Sequence, residues 1–102
     1  MNYRVLVLGC AVVFLTGCMT AQPPIEDYAL ARTALESAKA IDSVKYSPGY
    51  FRKAETAFHQ GQVYFDSREF RDSQSEFQRS RQLSEKAENS ARLQRFKNGE
   101  IL

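Results

Sequence analysis

The sequence predicts an all-α domain, and three observations carry that prediction. No stretch alternates apolar and polar residues with a period of two. From residue 25 onward, apolar residues recur instead at spacings of three and four. Proline is absent after Pro48, so it interrupts no helix in the second half of the chain. The expected architecture is a three-helix arrangement with a long third helix. A segment of quite different character precedes it.

Residues 1–17 read as an export signal. Arg4 supplies the positive charge of a short leading region, and residues 5–14 are almost unbroken apolar. That run is too short for a membrane-spanning helix, which needs about 20 residues. It suits the apolar region of a signal peptide. Leu15-Thr16-Gly17-Cys18 then resembles the lipobox of bacterial lipoproteins. Small residues let a membrane-embedded peptidase reach the backbone, and the Cys18 thiol is the acceptor for a diacylglyceryl group. The resemblance implies cleavage before Cys18, lipid on Cys18 and acylation of the new amino terminus. Burying acyl chain contributes about 0.8 kcal/mol per methylene, and two or more chains anchor stably. The expected partner of the processed amino terminus is therefore a membrane.

Met19 follows the cysteine, where aspartate would signal inner-membrane retention in lipoproteins of two-membrane bacteria. The resemblance thus implies an outer-membrane anchor with the domain facing the periplasm. Cys10 would leave with the signal, so the mature chain is expected to contain no free thiol and no disulfide. Residues 18–24, ending in Pro23-Pro24, form the lipidated cysteine and a short semi-rigid tether.

Residues 25–102 are enough for one small helical domain. The chain has 14 Lys and Arg against 12 Asp and Glu; losing Arg4 leaves 13 against 12. So even a balance argues against nucleic acid as a partner.

The first helix is expected over residues 25–45. Tyr28, Ala31, Leu35, Ala38 and Ile41 or Asp42 follow helical spacing, in a segment rich in alanine. Glu26 and Asp27 suit its amino end and Lys45 its carboxyl end. Ser47-Pro48 is a start signal, serine as N-cap and proline in the first turn. The second helix follows over residues 48–65. Phe51, Ala54, Phe58, Gly61 and Phe65 form one apolar stripe, and Tyr50, Ala57 and Tyr64 form another rotated by one residue. A face this wide predicts a central helix with a neighbour on each side. Gly61 and the alanines would let another backbone approach closely.

Asp66-Ser67 ends that helix, and the third is expected over residues 68–96. Its inward line is Phe70, Ser73, Phe77, Ser80, Ser84, Ala87 and Ala91, so burial is expected to thin after Phe77. Asn98-Gly99 is the stop.

Gly61, Tyr64, Phe70, Ser73, Phe77 and Ser80 resemble the small-and-aromatic ladder of a tetratricopeptide repeat. The match covers one repeat, which implies hairpin packing of that kind and no solenoid. The lipobox, the alanine-rich first helix, the Ser47-Pro48 break and the following hairpin are also similar to a family of small envelope lipoproteins with a helical domain of unknown function. In that family the domain sometimes precedes a peptidoglycan-binding domain, and no such segment is expected here after Leu102.

No catalytic constellation stands out, so the chain is expected not to be an enzyme. His59 is the only histidine, with Glu55 one turn before it and no cysteine companion, so neither a metal nor another cofactor is expected. Charged residues are expected to pair along the surface, as Glu36 with Lys39. Leu83, Leu93 and Phe96 lie off the inward line of the third helix among Arg92 and Arg95. They are the candidate surface for another envelope protein. The function expected is a non-enzymatic outer-membrane lipoprotein that binds such a partner. The alternative is a self-associating structural lipoprotein, since seven-residue repeats can also build a bundle between chains.

Overall fold

The computed structural model describes residues 2–3 and 21–100. Cys10 and the lipobox, including Cys18, lie outside the described residues. Four helices follow in order: α1 (Ile25–Ala40), α2 (Ser43–Tyr46), α3 (Pro48–Asp66) and α4 (Phe70–Lys97), with no strand among the described residues. The domain is all-α, as the spacing predicts.

Helix α1 begins where Pro24 closes the tether. Pro24 is itself buried, and its carbonyl accepts from the Tyr28 amide at 3.0 Å. The last tether residue is thus part of the domain. Glu26 and Asp27 occupy the first turn and Lys39 the last, each complementing the helix dipole. Ala31, Leu35 and Ala38 are buried, as the stripe predicts.

The expectation that this helix runs to Lys45 is corrected. It ends at Ala40, and Asp42 turns the chain with φ of 63°. A straight continuation would carry the Asp42 carboxylate onto the buried stripe, seven residues beyond Leu35, where an unpaired charge is costly. The left-handed corner leaves Asp42 exposed and brings Ile41 and Ser43 inside instead. Aspartate is among the few residues that take this conformation readily.

Ser47 and Pro48 start α3 at the expected place. The Ser47 hydroxyl makes no cap hydrogen bond, however; the serine is buried, and its carbonyl accepts from the Phe51 amide at 3.1 Å. The α3–α4 corner is closed by backbone bonds around Arg68, which has φ of 59°. The Arg68 amide donates to the Phe65 carbonyl at 3.0 Å and the Glu69 amide to that of Tyr64 at 2.9 Å. Those two bonds satisfy carbonyls that the end of α3 would otherwise leave open. Gly99, with φ of 76°, closes the end of α4 in the same way.

The organising element is α4 rather than the expected α3. Its 28 residues span about 42 Å, and both α1 and α3 pack chiefly against it. Phe77 on α4 is the largest side chain with no exposure at all, whereas Phe58 on α3 is only half-buried. Tyr28 meets the Phe77 ring edge-on at 5.4 Å, and Phe58 lies 5.4 Å from Tyr28 and 5.6 Å from Phe77. These three rings join the three long helices. Such pairs contribute about 0.5–1.5 kcal/mol each beyond the area they bury. Gly61 serves the same cluster. A Cβ there would lie 2.7 Å from the Phe77 ring, so glycine makes room for an aromatic face more than for a backbone.

The inward line of α4 is as expected, with Phe70 half-buried and Ser73 to Ala91 buried. Two of its serines join the helices directly. Ser73 Oγ donates to the Gly61 carbonyl and Ser80 Oγ to the Ala54 carbonyl, each at 2.8 Å. Donors and acceptors are both seven residues apart, so the bonds repeat with the antiparallel register of the hairpin.

Burial does not thin after Phe77, contrary to expectation: Ser80, Ser84, Ala87 and Ala91 are all fully buried. Small side chains let the neighbouring backbone close in, and α2 packs along this half of α4. Beyond Ala91 one side of α4 is exposed at Leu93 and Phe96, while Arg95 still meets Tyr46 of α2.

Candidate functional site

The far end of α4 holds most of the candidate partner residues, and the structure divides them. Leu83 is half-buried and packs against the cluster of Leu35, Ala38, Phe51, Ala54 and Ala87. It therefore belongs to the core. Leu93 and Phe96 are 53% and 73% exposed and form an apolar pair on the last turns of α4. Helical geometry explains the split. Ten residues separate Leu83 from Leu93, which leaves them about 80° apart around the axis.

The arginines of this end are already engaged. Arg92 pairs with Glu88 at 2.7 Å, one turn back along α4. Arg95 Nε donates to Glu100 Oε2 at 3.0 Å, and its guanidinium lies 5.9 Å from the centre of the Tyr46 ring. Lys45 lies over the same ring at 4.9 Å. The Tyr46 hydroxyl donates in turn to Glu100 Oε1. Tyr46 on α2 and Glu100 after α4 thus form a latch that holds the end of the chain against the Asp42 corner. The Tyr46 hydroxyl, helped by Arg95 and Lys45, holds the Glu100 carboxyl below its ordinary range against the opposing effect of burial. Tyr46 also holds the Lys45 ammonium above its ordinary range, with Glu100 and Asp42 adding to the effect.

At the opposite end, where the tether enters, an open cleft of about 410 Å³ lies between α1 and α3. Ile25, Tyr28, Val63 and Phe65 supply its apolar lining together with Phe77 of α4, and His59, Gln62 and Asp66 its polar edge. His59 is exposed beside the buried stripe and also borders a second cleft with Glu55 and Glu36. Among the described residues, no three His, Cys, Asp or Glu side chains are grouped to hold a metal. Glu36 pairs with Arg32 at 3.2 Å rather than with Lys39. Nearby, the Asp27 carboxylate accepts from Gln74 Nε2 at 3.0 Å and from Gln78 Nε2 at 3.4 Å, tying α1 to α4.

A third groove lies between α3 and α4 alone, with a volume of about 260 Å³ and no residue of α1 in its walls. Arg52, Lys53 and Arg79 rim it, and Ala57 is its floor. Sequence reasoning missed this groove and the latch for the same reason. Each depends on which residues of separate segments the fold brings face to face. The signal for the groove was the second stripe, Tyr50, Ala57 and Tyr64, assigned to burial on both sides. In the structure that second stripe is covered only in part: Ala57 is buried and Tyr64 half-buried, but Tyr50 remains 44% exposed.

No described helix is long and apolar enough to cross a membrane. Comparison with protein-family models, with curated proteins and with solved structures finds no match to this chain.

Proposed function

We propose that the chain is a non-enzymatic lipoprotein of the bacterial envelope, anchored through lipid on Cys18. Its helical domain faces the periplasm from the outer membrane and binds another envelope protein. The hairpin of α3 and α4 packs in the manner of a single tetratricopeptide repeat and presents surfaces rather than chemistry. Support for a binding role rests on one observation above all: Leu93 and Phe96 stay exposed on a helix whose buried line is complete without them. Support for the anchor comes from the Leu15-Thr16-Gly17-Cys18 tetrapeptide and the apolar run before it.

Two measurements test this reading. Cys18→Ala should abolish fatty-acid labelling and leave an uncut precursor; a variant that still labels and matures at wild-type size overturns the anchor. Replacing Leu93 and Phe96 together by serine should leave the melting temperature unchanged while abolishing site-specific crosslinking from Arg92 to an envelope protein. Unchanged crosslinking would remove this surface from the proposal. If the crosslinked species is instead a second copy of the chain, and its mass falls to that of a monomer in the serine variant, the domain is self-associating.

A further inference from the structure

The groove between α3 and α4 has the properties of a seat for one more helix. Tyr50, Ala57 and Tyr64 recur every seven residues along one face of α3 and span about 21 Å. Ala57 is buried at the floor of the groove; Tyr50, one heptad before it, is exposed and Tyr64, one heptad after it, half-buried, both outside the groove itself. A row at this interval is the spacing at which a second helix keeps one face against the first. Helix α1 lies on the other side of the hairpin, where Tyr28 meets Phe58 and Phe77, and contributes no residue to the groove.

The charges around this row point to the chemistry of the occupant. Arg52, Lys53 and Arg79 line the groove with a single carboxylate, Glu76. Glu76 lies 3.9 Å from Arg79, a distant pair on an exposed arginine. Arg52 and Lys53 take part in no ion pair among the described residues, unlike Arg92 and Arg95 at the far end of α4. They are also the first charges of α3, whose first turn contains no acidic residue to offset the positive end of its dipole. Arg52 and Lys53 thus have no carboxylate partner among the described residues, and Arg79 has only a distant one. The Thr56 hydroxyl turns back to the Arg52 carbonyl at 3.0 Å, which leaves the Gln60 amide as the neutral polar group of the wall.

We propose that this face of the α3–α4 hairpin docks an acidic amphipathic helix of a second protein. Its apolar residues sit over Tyr50, Ala57 and Tyr64, and its carboxylates meet Arg52, Lys53 and Arg79. The proposal rests on the reading of the domain as a protein-binding module and specifies the partner; it requires neither the lipid on Cys18 nor the Leu93–Phe96 pair.

The test uses the full chain in neutral detergent and two synthetic helices with leucine at every seventh position. One has glutamates flanking the leucines, and the other has lysines in their place. The glutamate peptide should bind, more weakly as salt rises, and the lysine peptide should not. Reversing Arg52, Lys53 and Arg79 together to glutamate should weaken the glutamate peptide at least about ten-fold and admit the lysine peptide. All three side chains are exposed, so the helical melt should persist. Lys53→Glu alone, expected to weaken binding in the same direction, provides the answer should the triple variant unfold. Equal binding of both peptides, or indifference to Lys53→Glu, overturns the proposal. So does a stronger response to phosphatidylglycerol vesicles than to the glutamate peptide when that response is lost on charge reversal, because the groove would then hold lipid headgroups. Phe96→Ser and Cys18→Ala should leave peptide binding unchanged, which separates failure of this groove from failure of the anchor or the distal surface.

Discussion

The two halves of α4 are equally buried and are held by different means. From Phe70 to Ser80 the contact is built on rings and hydroxyls: Phe77 fills the space between α1 and α3, and Ser73 and Ser80 reach across to α3 carbonyls. From Ser84 to Ala91 no large side chain of α4 is fully buried, and Ala87 packs with Leu35, Ala38, Phe51 and Ala54. Zero exposure thus describes two physical situations. In the first half, stability comes from one large apolar surface and specific polar bonds. In the second, it comes from close approach, which tolerates little added volume. Fractional burial alone does not separate them, but substitutions should.

The largest effect should come from Phe77→Ala. Removing a fully buried ring typically costs about 3–5 kcal/mol. Domains of this kind hold only about 5–15 kcal/mol in total, so chemical denaturation should show at least a substantial fraction of the stability lost. The half-buried Phe58, replaced likewise, should cost less; equal costs would return the organising role to α3.

Overpacking should come next. Ala87→Leu forces a larger side chain into the tight half and should cost about 1–3 kcal/mol. Gly61→Ala tests the same limit against the Phe77 ring. Alanine gains about 0.8–1.0 kcal/mol of helix propensity over glycine, yet its Cβ would meet that ring at 2.7 Å, so the net sign should be destabilising. A stabilised Gly61→Ala variant would show that the ring moves aside freely.

The serines should then separate by sign. Ser80 has a partner, while the buried hydroxyls of Ser84 and Ser43 have none. Ser80→Ala should cost about 0.5–1.5 kcal/mol, the net value of a protein hydrogen bond. Ser84→Ala removes an unsatisfied buried hydroxyl and should raise stability by about 1 kcal/mol. The same sign at both positions would erase the distinction between the two halves.

The smallest effect concerns the latch. Glu100 is held below its ordinary carboxylate range by the Tyr46 hydroxyl, so its contribution is present above the unfolded value, about 4.3. It is lost as pH falls through the lower folded value. Acid titration followed by the Tyr46 ring resonances should report release of the chain end before global unfolding. Tyr46→Phe should make those ring resonances insensitive to that step; a titration unchanged by it would assign the acid response elsewhere.

Much of this architecture was legible because it is periodic. The row from Phe70 to Ala91 keeps its spacing through seven residues, and Ser47-Pro48 marks a chain direction that no other dipeptide here marks as well. The central helix was misread because aromatic residues are denser on α3. The weight of the core was set by one ring on α4 and by the small residues opposite it. The Asp42 corner was hidden by the alanine-rich run before it, whose helical preference gives no warning of a left-handed residue. Leu83 was grouped with Leu93 and Phe96 by composition, and a count of turns would have parted them. Tyr46 and Glu100 are 54 residues apart, and nothing local to either names the other.

The order of the helices also determines how the domain would carry tension. Tyr28 meets Phe77 near the start of α1, and Tyr46 meets Glu100 beyond its end, so α1 and α4 run in the same direction. A pull between Pro24 and the far end of α4 would therefore slide the two helices along one another. The rows of side chains between them would resist together, in shear, instead of parting turn by turn as a zipper does. Drawn from those two points, the domain should behave as a stiff spacer up to a yield force and then fail abruptly.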